Sequence, residues 1–498
     1  MSVEFFNTSK GVRSCKVNNF SLHSSYDPEK EAERFVENTK CNFTPKYVLV
    51  IEPALSYCAK YFRKKYPKAV LCAVHLSKDF QDTDSQWDKV FIFDSENQNL
   101  EENIFAFMGD EGIVCCLFCE WVNSVKAYPQ GVRDAWSGIK KAILKTRNVL
   151  NTRSYFSKRW SRNALRFCLF SRYNAYVLKG NSPVIVCASG PSLKDSFPYL
   201  KKYRDNYFLL AVSSALTPLI NEGIIPDLCI STDGGFWAKH HLALTLNNYN
   251  IPLALPLEGA CFADILHNKT IVPISYGDGP AEALIQSNNY INVHSIRNGT
   301  VSGTAASFAL SISSSNVYFC GLDLSTSKGF GHTQPNELEI NESVKDNRLR
   351  TTETRVCPST FFSPSLDIYR GWFSTTNFFN RVFRLSNSYP YKNKLGQVYD
   401  VDWNFFEQQL SLETVTKPIV LYQANNFSLE ERIKMLIEEV KKNKTNKEWI
   451  KSALPSEEII YQRTIGTAGE KKAKEKIEAG MEHFINSLIE SLKKGLRK

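Results

Sequence analysis

Three observations predict an α/β fold with a Rossmann-like parallel sheet at its centre. Val184-Ile-Val-Cys187 is a short apolar run that empties into the small-residue turn Ala188-Ser-Gly-Pro-Ser192. A run of that length between turn residues reads as a strand buried on both faces. Similar runs recur downstream, and polar or small residues stand at their ends: Ser189, Ser213, Asp233, Ser302 and Asp323. That is the edge at which open α/β sheets place ligands. Nearer the start, strand, helix and strand follow one another with short connections, which makes a βαβ unit.

In chain order, the first forty-five or so residues are polar and without pattern, and turns are expected at Lys10-Gly-Val-Arg13 and Ser24-Ser-Tyr-Asp-Pro28. Tyr47-Val-Leu-Val-Ile51, Ala69 to Val74 and Lys89-Val-Phe-Ile-Phe93 are strands, and Ala54 to Lys65 is an amphipathic helix between the first two. No glycine-rich turn follows Ile51, so no nucleotide is assigned there. Ile113 to Cys119 is apolar and contains Cys116-Leu-Phe-Cys119; without a second Cys-x-x-Cys it reads as core rather than zinc site. Helical spacing rich in Arg and Lys runs from Ala127 to about Leu178.

Beyond the opening strand of the central region, Lys194 to Tyr203 is expected as a short helix, Tyr207 to Val212 as a strand and Leu216 to Glu222 as a helix. Strands follow at Leu228 to Ser231, Pro252 to Leu255, Thr270 to Ile274 and Ile291 to Ile296. Gly299 to Thr304 then precedes an alanine-rich helix over Ala305 to Ile312, and Val317-Tyr-Phe-Cys320 is the next strand. A long polar loop occupies Ser325 to about Thr360, a length typical of lids and binding loops. From about Phe405 the pattern is helical, with Ser428 capping a helix that Glu430 and Glu431 open. The expected domains are α/β over 1–125, a helical connector over 126–180, a Rossmann-like domain over 181–400 and a helical domain over 401–498.

At 498 residues the chain is long enough for about three domains. The start, Met1-Ser-Val-Glu-Phe-Phe6, lacks the basic-then-apolar layout of a signal peptide, and no apolar run approaches the ~20 residues of a membrane span. Of thirteen cysteines, Cys72, Cys187, Cys229 and Cys320 sit in apolar runs, as reduced core thiols do, so a cytoplasmic location is expected. The net charge of +10 is spread along the chain, and the lysine-dense tail interleaves glutamates. That favours a solvated helical face over a nucleic-acid patch, while leaving a weak attraction for anionic substrates.

Ala188-Ser-Gly-Pro-Ser-Leu193, Pro226 to Asp233, Thr300-Val-Ser-Gly303 and Val317 to Asp323 stand in that order, with Gly331-His332 in the next loop. Together they resemble the motility accessory factor (Maf) family of flagellin glycosyltransferases, over roughly Val184 to Asn387. That family shares its core with the MptE-like 6-hydroxymethylpterin pyrophosphokinases and is related in fold to bacterial sialyltransferases. The resemblance implies transfer of a nonulosonic acid, of pseudaminic or legionaminic type, from a CMP-activated donor to Ser or Thr hydroxyls of flagellin, in support of flagellar assembly and motility. It further implies nucleotide-sugar binding at Gly190, Pro191 and Ser192, at Ser213 and Ser214, and at Ser302, Gly303 and Thr304. Two departures are evident: Ala188-Ser189 stand where glycine or asparagine often precedes the motif, and the loop after Asp323 is longer than the compact family version.

Such a transfer needs a phosphate cradle, a base for the acceptor hydroxyl and stabilisation of an oxocarbenium-like transition state. Gly190 is free to take positive φ, and backbone N–H groups of Gly190 to Ser192 and Ser302 to Thr304 can hold the phosphate at helix starts. The hydroxyls of Ser302 and Thr304 are further donors, with plain helix capping as the alternative. His332 suits the base, since an imidazole exchanges protons near neutrality and Gly329 and Gly331 flank it. Asp323 and Asp233 can orient His332, bind ribose hydroxyls or hold a divalent cation; turn formation is the alternative for each. Arg297 is a lesser partner for phosphate or carboxylate. His240 and His241, adjacent on a helix, point to different sides and read as structural. An MptE-like pyrophosphokinase and a non-catalytic flagellin-binding protein are the alternative functions.

Overall fold

The computed structural model describes residues 3–94, 99–236, 238–242, 249–325, 330–351, 364–385, 394–410, 415–424 and 427–495. The chain divides into two compact units, Met1–Ser157 with Ile450–His483, and Lys158–Trp449 with Phe484–Lys498.

The first unit holds a four-stranded parallel sheet of β4 (Tyr47–Ile51), β5 (Val70–His75), β6 (Lys89–Ile92) and β7 (Cys116–Glu120), in the order β6-β5-β4-β7. The central strands β4 and β5 are almost wholly apolar because both faces are covered. Leu49 and Ile51 enter one core cluster, Val48 and Val50 the other, as the two-residue period of a strand requires. The patternless opening is in fact ordered. An antiparallel meander, β1 (Val3–Asn7), β2 (Arg13–Val17) and β3 (Phe20–Ser21), precedes a helix over Pro28–Asn38. Asp27 caps that helix by accepting from the Lys30 N–H at 3.0 Å, with proline in the first turn.

The second unit is built on an eleven-stranded sheet, counted over the described residues. Its strands are β8 (Tyr173–Leu178), β9 (Val184–Cys187), β10 (Phe208–Val212), β11 (Leu228–Ile230), β12 (Leu253–Pro256), β13 (Thr270–Ser275), β14 (Val293–His294), β15 (Val317–Cys320), β16 (Val382–Leu385), β17 (Tyr399–Val401) and β18 (Ile419–Ala424). The order is β17-β16-β15-β9-β10-β11-β12-β13-β8-β18, with β14 beside the end of β13. Every pairing is parallel except β18 with β8. Strands β9, β10 and β15 are buried along their whole length, which their unbroken apolar runs dictate.

Further elements differ from expectation. The long helix ends at Phe170 rather than near Leu178, and Tyr173–Leu178 is β8, whose aromatic and β-branched residues suit a strand. The C-terminal region contributes β18, where Ile419-Val-Leu-Tyr follows Pro418, so that region is not helical throughout. The strand expected over Ile291 to Ile296 shrinks to Val293–His294. Ser428 does cap its helix: it accepts from the Glu431 N–H at 3.3 Å while Glu431 accepts from the Ser428 N–H at 2.7 Å.

Candidate active site

From β9 the chain winds outward through β10, β11, β12 and β13, whereas β15, β16 and β17 lie on the other flank of β9. The winding therefore reverses between β9 and β15, and the switch-point crevice at which open α/β sheets bind ligands is the one outside the carboxyl ends of these two strands. The turn after β9 and the residues after β15 meet there. Gly190 donates its N–H to the Gly321 carbonyl at 2.8 Å. Asp323, almost fully buried, accepts from the Ser192 N–H at 2.6 Å and from the Ser192 hydroxyl.

This arrangement corrects the expected cradle. Gly190 has φ −62°, so no left-handed turn forms; glycine is required by proximity, since a Cβ there would lie 2.4 Å from the Gly321 oxygen. The N–H groups of Gly190 and Ser192 are engaged within the protein, and Pro191 opens a 3-10 turn over Pro191–Ser196. Gly321 itself adopts φ +71° against the Ala188 carbonyl, where only glycine fits. After β10, Ser213 begins a 3-10 turn, and Ser214 donates its hydroxyl to that of Ser189 at 2.7 Å.

The helix after β14 spans Val301–Ile312 and packs on β9, β10 and β15. Its cap is Thr300, whose hydroxyl oxygen accepts from the Gly303 N–H at 3.0 Å. Ser302 lies half-buried in the first turn, while Thr304 is fully buried and donates to the Ile296 carbonyl at 3.2 Å. The Thr304 hydroxyl and Gly303 N–H are thus held by the protein, and Ser302 keeps a hydroxyl in the first turn. Gly303 is pressed against the Asn298 side chain, which leaves no room for a Cβ. Arg297 pairs with Glu258 and, at 2.6 Å, with Asp278, and its guanidinium lies 4.3 Å from the Tyr276 ring centre. It is a structural cation.

The histidine-bearing loop is fixed to the β9 turn by Thr333. Its N–H donates to the Ser189 carbonyl at 2.7 Å and its hydroxyl to the Gly190 carbonyl. His332, next to it, has its side chain 38% exposed, open enough to meet a substrate. His332 Nδ1 lies 2.7 Å from Glu339 Oε1. Glu339 also accepts from the Gly331 N–H at 3.1 Å and from Gln334 Nε2 at 2.8 Å. Asp323, for which orienting His332, binding ribose hydroxyls and holding a cation are open, has its carboxylate bonded to Ser192, and the carboxylate in contact with His332 is that of Glu339. Of the glycines that flank His332, Gly329 lies outside the described residues.

Asp233 is exposed at the end of β11 and accepts from the Gly235 N–H at 2.7 Å. The two neighbouring histidines diverge, as helical geometry requires. His240 packs against Phe236 and Phe262, whereas the His241 ring centre stands 6.2 Å from that of His332. Burial and the neighbouring His332 push the His241 imidazole down to about 4, against the pull of Glu339 and Asp233. His241 thus belongs to this cluster, where the sequence had suggested only a packing role. Glu339 was visible in principle: Asn336-x-x-Glu339 is a helix-start pattern, and Asn336 accepts from the Glu339 N–H at 3.3 Å. Among the described residues no three His, Cys, Asp or Glu side chains form a metal-holding group, and no helix is long and apolar enough to cross a membrane.

Comparison with known proteins bears on this core. Residues 162–329 match the family model described as 6-hydroxymethylpterin diphosphokinase MptE-like. An uncharacterized protein of Treponema pallidum (strain Nichols) is 30% identical over 286 residues, 56% of this chain; the chain spans 62% of that relative's length. A solved structure of a MAf glycosyltransferase from Magnetospirillum magneticum AMB-1 aligns over 99% of this chain and 92% of its own, with 11% identity and a TM-score of 0.49. The β9 turn, the capped helix and the end of β15 all lie within the segment that is similar to the MptE-like model.

Proposed function

We propose that the protein is a glycosyltransferase of the Maf kind, moving a nonulosonic acid from a CMP-activated donor to Ser or Thr of flagellin. The observation that carries this reading is the tie made by Thr333, which holds His332 over the crevice at the reversal between β9 and β15. The nucleotide lies along the strand-end turns Gly190–Ser192, Ser213–Ser214 and Ser302–Thr304, with Asp233 exposed at the rim. His332 is the base. Its free nitrogen takes the acceptor hydroxyl proton as the oxygen bonds to the anomeric carbon and the carbon–oxygen bond to phosphate breaks, its electron pair leaving with CMP. Asp323 supports the turn through Ser192 and is not assigned a catalytic role.

The MptE-like match favours a second reading, diphosphate transfer from ATP to a pterin. Against it, the match ends at residue 329, three residues before His332, so the histidine-bearing loop lies outside the shared core. Thermal shift with CMP and with ATP separates the two: the transferase reading expects CMP to raise the melting temperature, and stabilisation by ATP alone would reverse it. Mass spectrometry of flagellin from cells lacking the protein tests the acceptor; loss of the glycan mass is expected, and an unchanged mass would exclude a required transfer.

A further inference from the structure

We propose that Glu339 is a positioning residue: it holds His332 in the tautomer with hydrogen on Nδ1, so that Nε2 faces the crevice as the proton-accepting atom. The inference rests on the transferase reading for its chemistry, but its geometry stands apart from it. An ionised carboxylate only accepts hydrogen bonds, so the 2.7 Å contact assigns the hydrogen to Nδ1. The orientation of Glu339 is itself determined. Its side chain is only 14% exposed, and the Gly331 N–H and Gln334 Nε2 hold the two oxygens in place. Its backbone N–H is bonded to Asn336, which is nearly buried. On the other side Thr333 anchors the loop to Ser189 and Gly190. The imidazole is thus held from its carboxylate side and its backbone side, and among the described residues no hydrogen bond takes up Nε2.

His241 completes the arrangement. Among the described residues, Glu339 and His241 face His332, and Asp233 and His240 act on His241 in turn. The His241 imidazole, held low by burial and by His332, adds no competing positive charge at this distance. Carboxylate support of a base imidazole is a general device, and its loss in other enzymes lowers turnover by orders of magnitude through the wrong tautomer.

The test uses the full chain labelled with ¹⁵N-histidine. Long-range ¹H–¹⁵N correlation spectra of neutral His332, assigned with His332→Gln, should show hydrogen on Nδ1, and Glu339→Ala should move the population towards Nε2. Hydrogen on Nε2 in the unaltered protein would overturn the proposal, as would an unchanged tautomer in Glu339→Ala. Should Glu339→Ala fail to fold, Glu339→Met serves: it keeps much of the volume without any acceptor oxygen for Nδ1–H, and the same shift is expected. With CMP-activated donor and flagellin, the variant should lose at least tenfold in kcat with the donor KM within about twofold, and retention of full kcat would overturn the role. Absence of transfer by the unaltered protein would count against the transferase reading, and the tautomer spectra would still decide the role of Glu339.

Discussion

At Gly190 the backbone is extended, and the demand for glycine comes from the neighbouring strand end, where the Gly321 oxygen and the Asp323 carboxylate leave no space for a methyl group. Gly190→Ala should cost about 1–3 kcal/mol, the usual range for overpacking a tight site, read as a lower urea midpoint with unchanged slope. The sequence pointed to this glycine for conformational freedom, and the actual reason, contact with a strand distant in sequence, was not available to local reading. His241 makes the same point for electrostatics. Its folded value of about 4 lies below the ordinary histidine value of 6.5, so between these pH values the unfolded chain binds more protons. Stability contributed at this site is full above 6.5 and falls as pH drops towards 4. His241→Phe should therefore lose less stability than the unaltered protein between pH 6.5 and 4, measured by urea midpoints across that window. Which histidine faces which neighbour depends on the fold, and the adjacency of His240 and His241 said only that they diverge.

Among the elements, the helix Val301–Ile312 shows how a cap serves the crevice. Thr300 accepts from the Gly303 N–H, and Asn298 Oδ1 accepts from the Thr300 N–H at 2.8 Å, so the helix start is closed by side chains of the loop before it. Thr300→Ala should lower stability by about 1 kcal/mol, and Thr300→Ser should restore most of it, read by thermal melting. The sequence located this helix and its small-residue start, but named Ser302 and Thr304 where the capping residue is Thr300. The edge strands carry a second device. Arg384 on β16, almost wholly buried, donates from Nε (2.6 Å) and Nη2 (3.0 Å) to Asp400 on β17 and from Nη1 to the Leu322 carbonyl at 3.2 Å. Removing one member of such a pair leaves a buried charge unmatched; Asp400→Ala should cost about 3 kcal/mol by urea denaturation. Neither β16 nor β17 was expected, because each is short and its pairing, not its composition, makes it a strand.

Over the whole molecule, the runs that form the buried parallel strands β4, β5, β9, β10 and β15 were readable because parallel strands covered on both faces carry unbroken apolar sequence. Their lateral order was not, since no local signal says that β15 lies beside β9; the crevice depends on that order. Cysteine burial offers a test of the same core. Among the described residues, Cys41 and Cys119 are the cysteines not fully buried, and burial pushes the thiol of Cys119 up to about 12. Once Cys41 and Cys357 are replaced by serine, the native protein should react with less than one equivalent of a thiol reagent over minutes, and the remaining eleven cysteines should react in denaturant. Strand β18 has a consequence of another kind. It pairs with β8 in antiparallel register, Ile419 opposite Leu178 and Ala424 opposite Tyr173, although some 240 residues separate them in the chain. During synthesis from the N-terminus, the β8 segment leaves the ribosome long before its outer neighbour exists. One flank of the central sheet must therefore wait with its backbone hydrogen-bonding groups open until Ile419–Ala424 emerges. A nascent chain stalled before Ile419 accordingly leaves the outer edge of β8 without its partner strand.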